Sequence, residues 1–147
     1  MWQIQHMAPA RIPNGYSVSH LKQLPIYQKA VEIYALSRNV TNYLSNDKDL
    51  SSLYRSSLQS DKDMEEIVIT ALGLPMQVAE AQTTGDFKKR LHIQETISKA
   101  IETIRHRCKA LRKSHSKNAD YLRLFSKELA HFKRMHLQWS ALISQKN

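Results

Sequence analysis

The feature that most constrains the fold is a helical periodicity that runs from Asp86 to Ile143. Apolar residues recur there every three or four positions, which is the spacing of one face of an α-helix. One short polar segment, residues 114–118, interrupts the pattern and predicts a turn between two long amphipathic helices. Only three glycines and four prolines occur in 147 residues, and this scarcity of turn residues argues against an all-β fold.

The first quarter of the chain predicts an irregular extension followed by a helix. Prolines and a glycine interrupt any periodic pattern in residues 1–23, which are predicted to lie outside the folded domain. Helix one is expected to begin near Leu24, because Pro25 suits the first helical position, where its missing N–H costs nothing. It is expected to end at residues 45–47. The folded domain is therefore predicted to span residues 24–147.

The second helix is expected between about Asp49 and Gln82. Residues 59–63 interrupt its apolar phase and leave a break open, with Ser60 as the cap of a new segment. Pro75 lies inside the pattern and predicts a kink, since proline removes one hydrogen bond of the helix. The predicted apolar stripe comprises Leu50, Leu53, Tyr54, Leu58, Met64, Ile67, Val68, Ala71, Leu74 and Val78.

Helices three and four supply the rest of the predicted core. The expected seam of helix three is Phe87, Leu91, Gln94, Ile97, Ile101, Ile104, Cys108 and Leu111. That of helix four is Tyr121 or Leu122, Phe125, Leu129, Phe132, Met135 or His136, Trp139, and Leu142 or Ile143. Four amphipathic helices with short turns bury their apolar faces best against each other, which predicts an all-α, antiparallel up-down four-helix bundle.

The positive charge of the chain is concentrated in its second half. Residues 86–147 hold 15 lysines and arginines against five carboxylates, whereas residues 1–85 hold seven against eight. The formal net charge of +9 therefore arises from the hairpin of helices three and four. A basic surface of this kind predicts a polyanionic partner, with nucleic acid favoured. An acidic protein partner and a role in solubility are the alternatives.

The candidate binding residues are the cations of this hairpin that crowd its two ends or lie on helix four. They are Lys88, Lys89, Arg90, Arg105, Arg107, Lys109, Arg112, Lys113, Lys117, Arg123, Lys127, Lys133 and Arg134. The cluster at residues 105–117 has no acidic residue nearer in the sequence than Glu102 and Asp120. Like charges on one helix repel each other, and a bound polyanion would neutralise them.

The sequence offers no catalytic or metal-binding constellation. It contains no His-x-x-x-His pair, no glycine-rich phosphate loop and no second cysteine beside Cys108. The acidic residues at 61–66 lack the glycine and ligand spacing of a calcium loop, so a solvated helix start is expected. Cys108 is expected to be a buried small apolar residue. The chain is thus predicted to be a non-enzyme without cofactors.

Its location is expected to be cytoplasmic. Residues 1–7 do not resemble a signal peptide, because no basic segment precedes an apolar run there. No stretch of the chain approaches 18 apolar residues, and therefore no contact with a membrane is expected. A single cysteine also fits a reducing compartment, since it allows no intrachain disulfide.

Three segments resemble a known superfamily of four-helix bundles. Residues 24–30 (LPIYQKA) resemble the opening of its first helix, and residues 71–81 (ALGLPMQVAEA) resemble its second-helix pattern A-x-S-I-P-x-N-I-A-E-G. Residues 134–139 (RMHLQW) resemble the R-M-L-G-G-W of one subfamily. The superfamily contains the 23S rRNA intervening-sequence proteins and the accessory variability determinant (Avd) proteins of diversity-generating retroelements. The order and spacing of the three segments also agree.

The resemblance implies a homopentameric ring of four-helix bundles. An Avd-like protein would be a non-catalytic partner of the retroelement reverse transcriptase and its template RNA during mutagenic retrohoming. Its basic surface would then meet RNA, single-stranded DNA or the polymerase. The alternative implied by the resemblance is a structural bundle of the intervening-sequence type with no assigned biochemical role.

Overall fold

The computed structural model describes residues 18–144, and within this range all regular secondary structure is helical. The α-helices are α1 (Val18–Gln23), α2 (Pro25–Leu44), α3 (Leu50–Arg55), α4 (Gln59–Thr83), α5 (Phe87–Ser114) and α6 (Ala119–Ser144). A short 3₁₀ turn, Ser116–Asn118, joins α5 to α6. The predicted all-α class is therefore confirmed, and the arrangement is compatible with a bundle of the four long helices.

Side chains at the predicted helix starts set two of the boundaries. The Asp49 carboxylate accepts a hydrogen bond from the backbone N–H of Ser52 at 2.7 Å. The Asp86 carboxylate accepts from the N–H groups of Lys88 at 3.0 Å and Lys89 at 3.2 Å. Such caps satisfy N–H groups that have no partner inside the helix.

Two boundary predictions are corrected by the structure. Residues 18–23 form helix α1 rather than part of an irregular extension, while residues 1–17 of that extension lie outside the described residues. The break left open in helix two is present at residues 56–58, but Ser60 does not cap the new segment. Leu58 occupies the capping position without a side-chain hydrogen bond, and α4 then continues through Pro75 to Thr83.

The core forms where α5 packs against α4 and α6, and where α2 packs against the same two helices. Its largest fully buried side chains are Ile33, Leu53, Met64, Ile67, Leu74, Ile97, Ile101, Ile104, Leu111, Leu122, Leu129 and Phe132. These positions include about half of the predicted seams of α5 and α6. Burial of such side chains contributes roughly 1.5 to 3 kcal/mol each before the entropy cost of folding is subtracted.

The predicted seam is wrong at the ends of several helices. Phe87 and Leu91 are exposed, because α5 turns Arg90 and Ile93 inward at its first turns instead, whereas Gln94 is buried as predicted. Tyr54 and Leu58, which were predicted to lie on the stripe of helix two, are exposed beside the break at residues 56–58. On α6 the alternatives resolve in favour of Leu122, His136 and Ile143 as the buried members.

Cys108 is buried in the core, as predicted. Burial disfavours the thiolate and raises the pKa of the thiol to about 12. A thiol in this state is a poor nucleophile. None of the described helices has both the length and the apolar content needed to cross a membrane.

A polar network lies within the core between α4 and α6. The Trp139 indole N–H donates to the Gln82 side-chain oxygen at 2.8 Å, and the Trp139 and His136 rings lie 5.9 Å apart. His136 is buried, with its Nε2 3.3 Å from the Ser140 hydroxyl. Burial lowers the pKa of His136 from 6.5 to about 4, so its ring is neutral at neutral pH.

We expect His136 to make the fold sensitive to mild acid. Its pKa is lowered in the folded state, so the unfolded chain binds the proton more readily, and the stability held above pH 6.5 is lost as the pH falls towards 4. Between pH 7 and 5 the free energy of unfolding should fall by about 1 to 2 kcal/mol. Urea unfolding across this range measures the slope. His136→Gln should flatten it, whereas His106→Gln, at an exposed position, should not.

Candidate nucleic-acid interface

The thirteen candidate cations differ in whether they have a carboxylate partner in the structure. Five of them form ion pairs at the surface: Lys89 with Glu80 (3.2 Å), Arg105 with Glu102 (2.8 Å), Arg107 with Glu66 (2.6 Å) and Asp63 (3.3 Å), Arg123 with Asp120 (2.8 Å), and Lys133 with Glu102 (3.1 Å). Pairs in which both side chains are exposed stabilise a protein by about 1 kcal/mol or less each, whereas Asp63 in one of the Arg107 pairs is buried. They nevertheless reduce the positive potential that a polyanion meets.

Arg90 is not part of a binding surface, and its assignment to one is corrected. Its side chain is buried and donates hydrogen bonds to the carbonyl oxygens of Ala81 at 3.2 Å, Thr84 at 2.7 Å and Ile143 at 3.2 Å. These carbonyls lie at the C-terminal ends of α4 and α6, where carbonyl groups lack helical partners. The guanidinium has donors for all three and is favoured by the negative ends of the two helices.

Arg107 forms ion pairs with two acidic residues that are distant in the sequence. Its partners Asp63 and Glu66 lie in the first turns of α4, the segment predicted to be a solvated helix start. That prediction is wrong for Asp61 and Asp63, which are buried. Burial would raise the pKa of Asp61, but the hydrogen bonds from Lys48 and Ser56 outweigh it and hold the pKa below its usual value. The acidic segment of α4 thus covers one side of the basic α5.

The largest group of candidate cations without carboxylate partners in the described chain lies around the turn between α5 and α6. Lys109, Lys113 and Lys117 are exposed and Arg112 is half-buried, and within the described residues none of the four has a carboxylate in ion-pair distance. We call these four residues the turn cluster. Arg112 and Lys113 also lie in the last turn of α5, where cations compensate the helix dipole. That role accounts for their place at the helix end, but not for Lys109 and Lys117.

The remaining candidates are not brought to this cluster. Lys88 lies at the opposite end of α5 from Lys113, about 38 Å away at the helical rise of 1.5 Å per residue. Lys127 and Arg134 are exposed on α6 and, like Lys88, have no ion-pair partner within the described part of the chain. The two predicted patches are thus distinct, and the loss of Arg90 and the pairing of Lys89 leave the one at residues 88–90 small.

An aromatic pair beside the turn was not identified from the sequence as a candidate site. The rings of Tyr43 on α2 and Tyr121 on α6 have centroids 4.3 Å apart and planes tilted by 37°. The Tyr43 hydroxyl donates to the Asn118 side-chain oxygen at 3.3 Å, and Asn118 directly follows Lys117. Tyr121 and Leu122 were alternatives for the first seam position of helix four, and Leu122 is the one that faces the core. The helical periodicity around Tyr121 was the only feature of the sequence that could have indicated its exposure.

A second polar feature lies in a groove between α5 and α6. Gln94 is buried, and its Nε2 has no hydrogen-bond partner among residues 18–144. His136 and Ser140 line the same groove, together with the exposed Leu137. Within residues 18–144, no group of three histidine, cysteine or acidic side chains is placed to hold a metal ion.

Comparison of the chain with protein-family models, with curated proteins and with solved structures finds no match.

We expect Arg90 to matter for stability rather than for binding. Arg90→Met should lower the free energy of unfolding by about 3 kcal/mol, because three carbonyl groups lose a charged donor in a buried place. Urea denaturation measures the change. Lys89→Met is the matched control, since the neighbouring Lys89 is exposed, and it should change stability by about 0.5 kcal/mol or less. Equal effects of the two substitutions would contradict the structural role of Arg90.

Proposed function

We propose that this protein is a non-catalytic accessory protein of a diversity-generating retroelement. It binds template RNA or its single-stranded DNA copy, and the reverse transcriptase, in support of mutagenic retrohoming. The observation that carries the nucleic-acid part is the turn cluster, four cations without ion-pair partners in the described chain. The retroelement part rests on the three resembling segments.

Phosphate groups fit the turn cluster because their binding releases condensed counterions. Elsewhere on α5 and α6 several cations are matched by carboxylates, as Arg105 and Lys133 are by Glu102. The hydrogen bonds from these two cations lower the pKa of Glu102 and favour its ionised form. The contrast favours a partner of opposite charge at the turn over a general role in solubility. Contacts to phosphate would be largely independent of base sequence.

The proposal includes an antiparallel up-down topology and assembly into a five-fold ring, both implied by the resemblance. Exposed apolar side chains support self-association. Ile69, Leu72 and Met76 recur at a spacing of three and four residues on α4, and each is at least 47% exposed. An apolar stripe of this kind on a helix surface is typical of a protein contact.

The alternative is a structural bundle of the 23S rRNA intervening-sequence type. The same three segments support it, and it requires no reverse transcriptase. The position of the gene discriminates between the two functions. A neighbouring reverse-transcriptase gene with a near-repeat pair favours the retroelement function, and a location inside an rRNA gene favours the alternative.

We expect the turn cluster to dominate binding to single-stranded RNA. Lys113→Glu combined with Lys117→Glu should weaken binding about tenfold or more at moderate salt. It should also reduce the slope of log K against log salt by about 1.4, since each lost phosphate contact on a single strand accounts for about 0.7. Fluorescence anisotropy across a salt series measures both quantities.

The matched control for this experiment is Lys22→Glu combined with Lys99→Glu. Both lysines are exposed, and the change in net charge is the same. If the two double variants weaken binding equally, net charge rather than the turn cluster is responsible. A flat salt dependence of the parent protein would contradict phosphate binding altogether.

The ring predicts a defined mass in solution. Light scattering coupled to size exclusion should give about five times the 17.0 kDa of one chain. Leu72→Glu combined with Met76→Glu should reduce the mass if the α4 stripe lies in the contact, because burying an unpaired charge is costly. The control is Tyr54→Glu combined with Ser57→Glu, two exposed positions at which the change in net charge is the same. A strict monomer at micromolar concentration would contradict the ring.

A further inference from the structure

The tyrosine pair is unusual for its exposure. Tyr43 is 50% and Tyr121 47% exposed, although their rings pack against each other. Aromatic side chains stabilise a fold most when they are buried. Two large rings with about half of their surface in solvent therefore add little to the stability of the core. The hydrogen bond from Tyr43 to Asn118 fixes one of the rings to the turn. The pair is thus an ordered, open aromatic surface.

A groove between α2 and α6 begins at these rings. It has a volume of about 430 Å³, and its apolar walls are formed by Leu36, Val40, Leu124 and Phe125. Leu124 is 62% exposed, so the apolar surface continues outward from the rings. A space of this size is sufficient for one planar aromatic ligand.

The two ends of the groove differ in charge. At the tyrosine end lies the turn with Lys117, which has no ion-pair partner in the described part of the chain. At the other end lie Glu32 and Glu128, which also line the groove. Both carboxylates pair with Lys29, whose side chain is largely buried between them. A phosphate is therefore attracted to the tyrosine end and disfavoured at the carboxylate end.

We propose that Tyr43 and Tyr121 form a stacking platform for an unpaired base of a single-stranded nucleic acid whose phosphates lie on the turn cluster. This inference rests on the proposed nucleic-acid function and adds to it a site for the base. Proteins that bind single strands combine a basic track with aromatic side chains on which bases stack. Because every base has a π face, the platform accepts all four bases and gives little sequence preference. A duplex, whose bases are already stacked, cannot use it.

The test compares a single-stranded RNA 12-mer with an abasic 12-mer of the same backbone and charge. The full-length chain should bind the base-containing strand about tenfold more tightly, since stacking of one base contributes about 1 to 3 kcal/mol. Tyr121→Ala should abolish this preference without weakening the binding of the abasic strand. Tyr121→Phe should retain it, because the ring remains. The ratio of the two affinities should stay constant across a salt series, since stacking releases no counterions.

Tyr54→Ala is the matched control, since Tyr54 is 69% exposed on α3 and lies outside the groove. It should leave the preference intact. Equal affinity of the parent protein for both strands, or equal losses in Tyr121→Ala and Tyr54→Ala, would overturn the platform while leaving phosphate binding in place. If neither strand binds, the proposed nucleic-acid function fails as well. Unchanged binding of the abasic strand by Tyr121→Ala shows that the variant is folded.

Discussion

The burial of the Arg90 guanidinium is the interaction on which the arrangement of the long helices depends. It joins the C-terminal ends of α4 and α6 to the first turn of α5 through three carbonyl groups. A buried charge is tolerated only where hydrogen bonds and compensating dipoles replace water, and two helix C-termini supply both here. With Arg90 directed inward, the rotation of α5 about its axis is set. Phe87 and Leu91 then face solvent.

The same rotation decides which cations remain available to a partner. Arg107 meets Asp63 and Glu66 of α4, and Lys133 of α6 shares Glu102 with Arg105. Of the seven exposed or half-buried candidate cations without a carboxylate partner in the described chain, four lie at the turn between α5 and α6. The positive surface therefore follows from packing as well as from composition, and it is smaller than the net charge of +9 suggests.

The sequence was sufficient to predict the long helices, their approximate starts at Asp49 and Asp86, and most of the core, because these follow from local sequence patterns. It was insufficient wherever a residue is paired with a distant one. Arg90 was predicted to be a surface cation. Its hydrogen-bond acceptors are backbone atoms of other helices, and a pattern of side chains in the sequence does not reveal them. Asp61 was predicted to be solvated, because its ion-pair partner, Lys48, lies on another segment. The region of the candidate site was therefore predicted correctly, but the residues that belong to it were not.

The length of α5 also sets a dimension for whatever lies along it. Lys88 and Lys113 are separated by about 38 Å. Successive nucleotides in a duplex rise by about 3.4 Å, so this distance corresponds to about eleven base pairs, close to one turn of the double helix. Phosphates one turn apart face the same side of a duplex. A duplex aligned with α5 would thus present phosphates to both ends of the helix without being bent, whereas a fragment shorter than one turn would reach only one end.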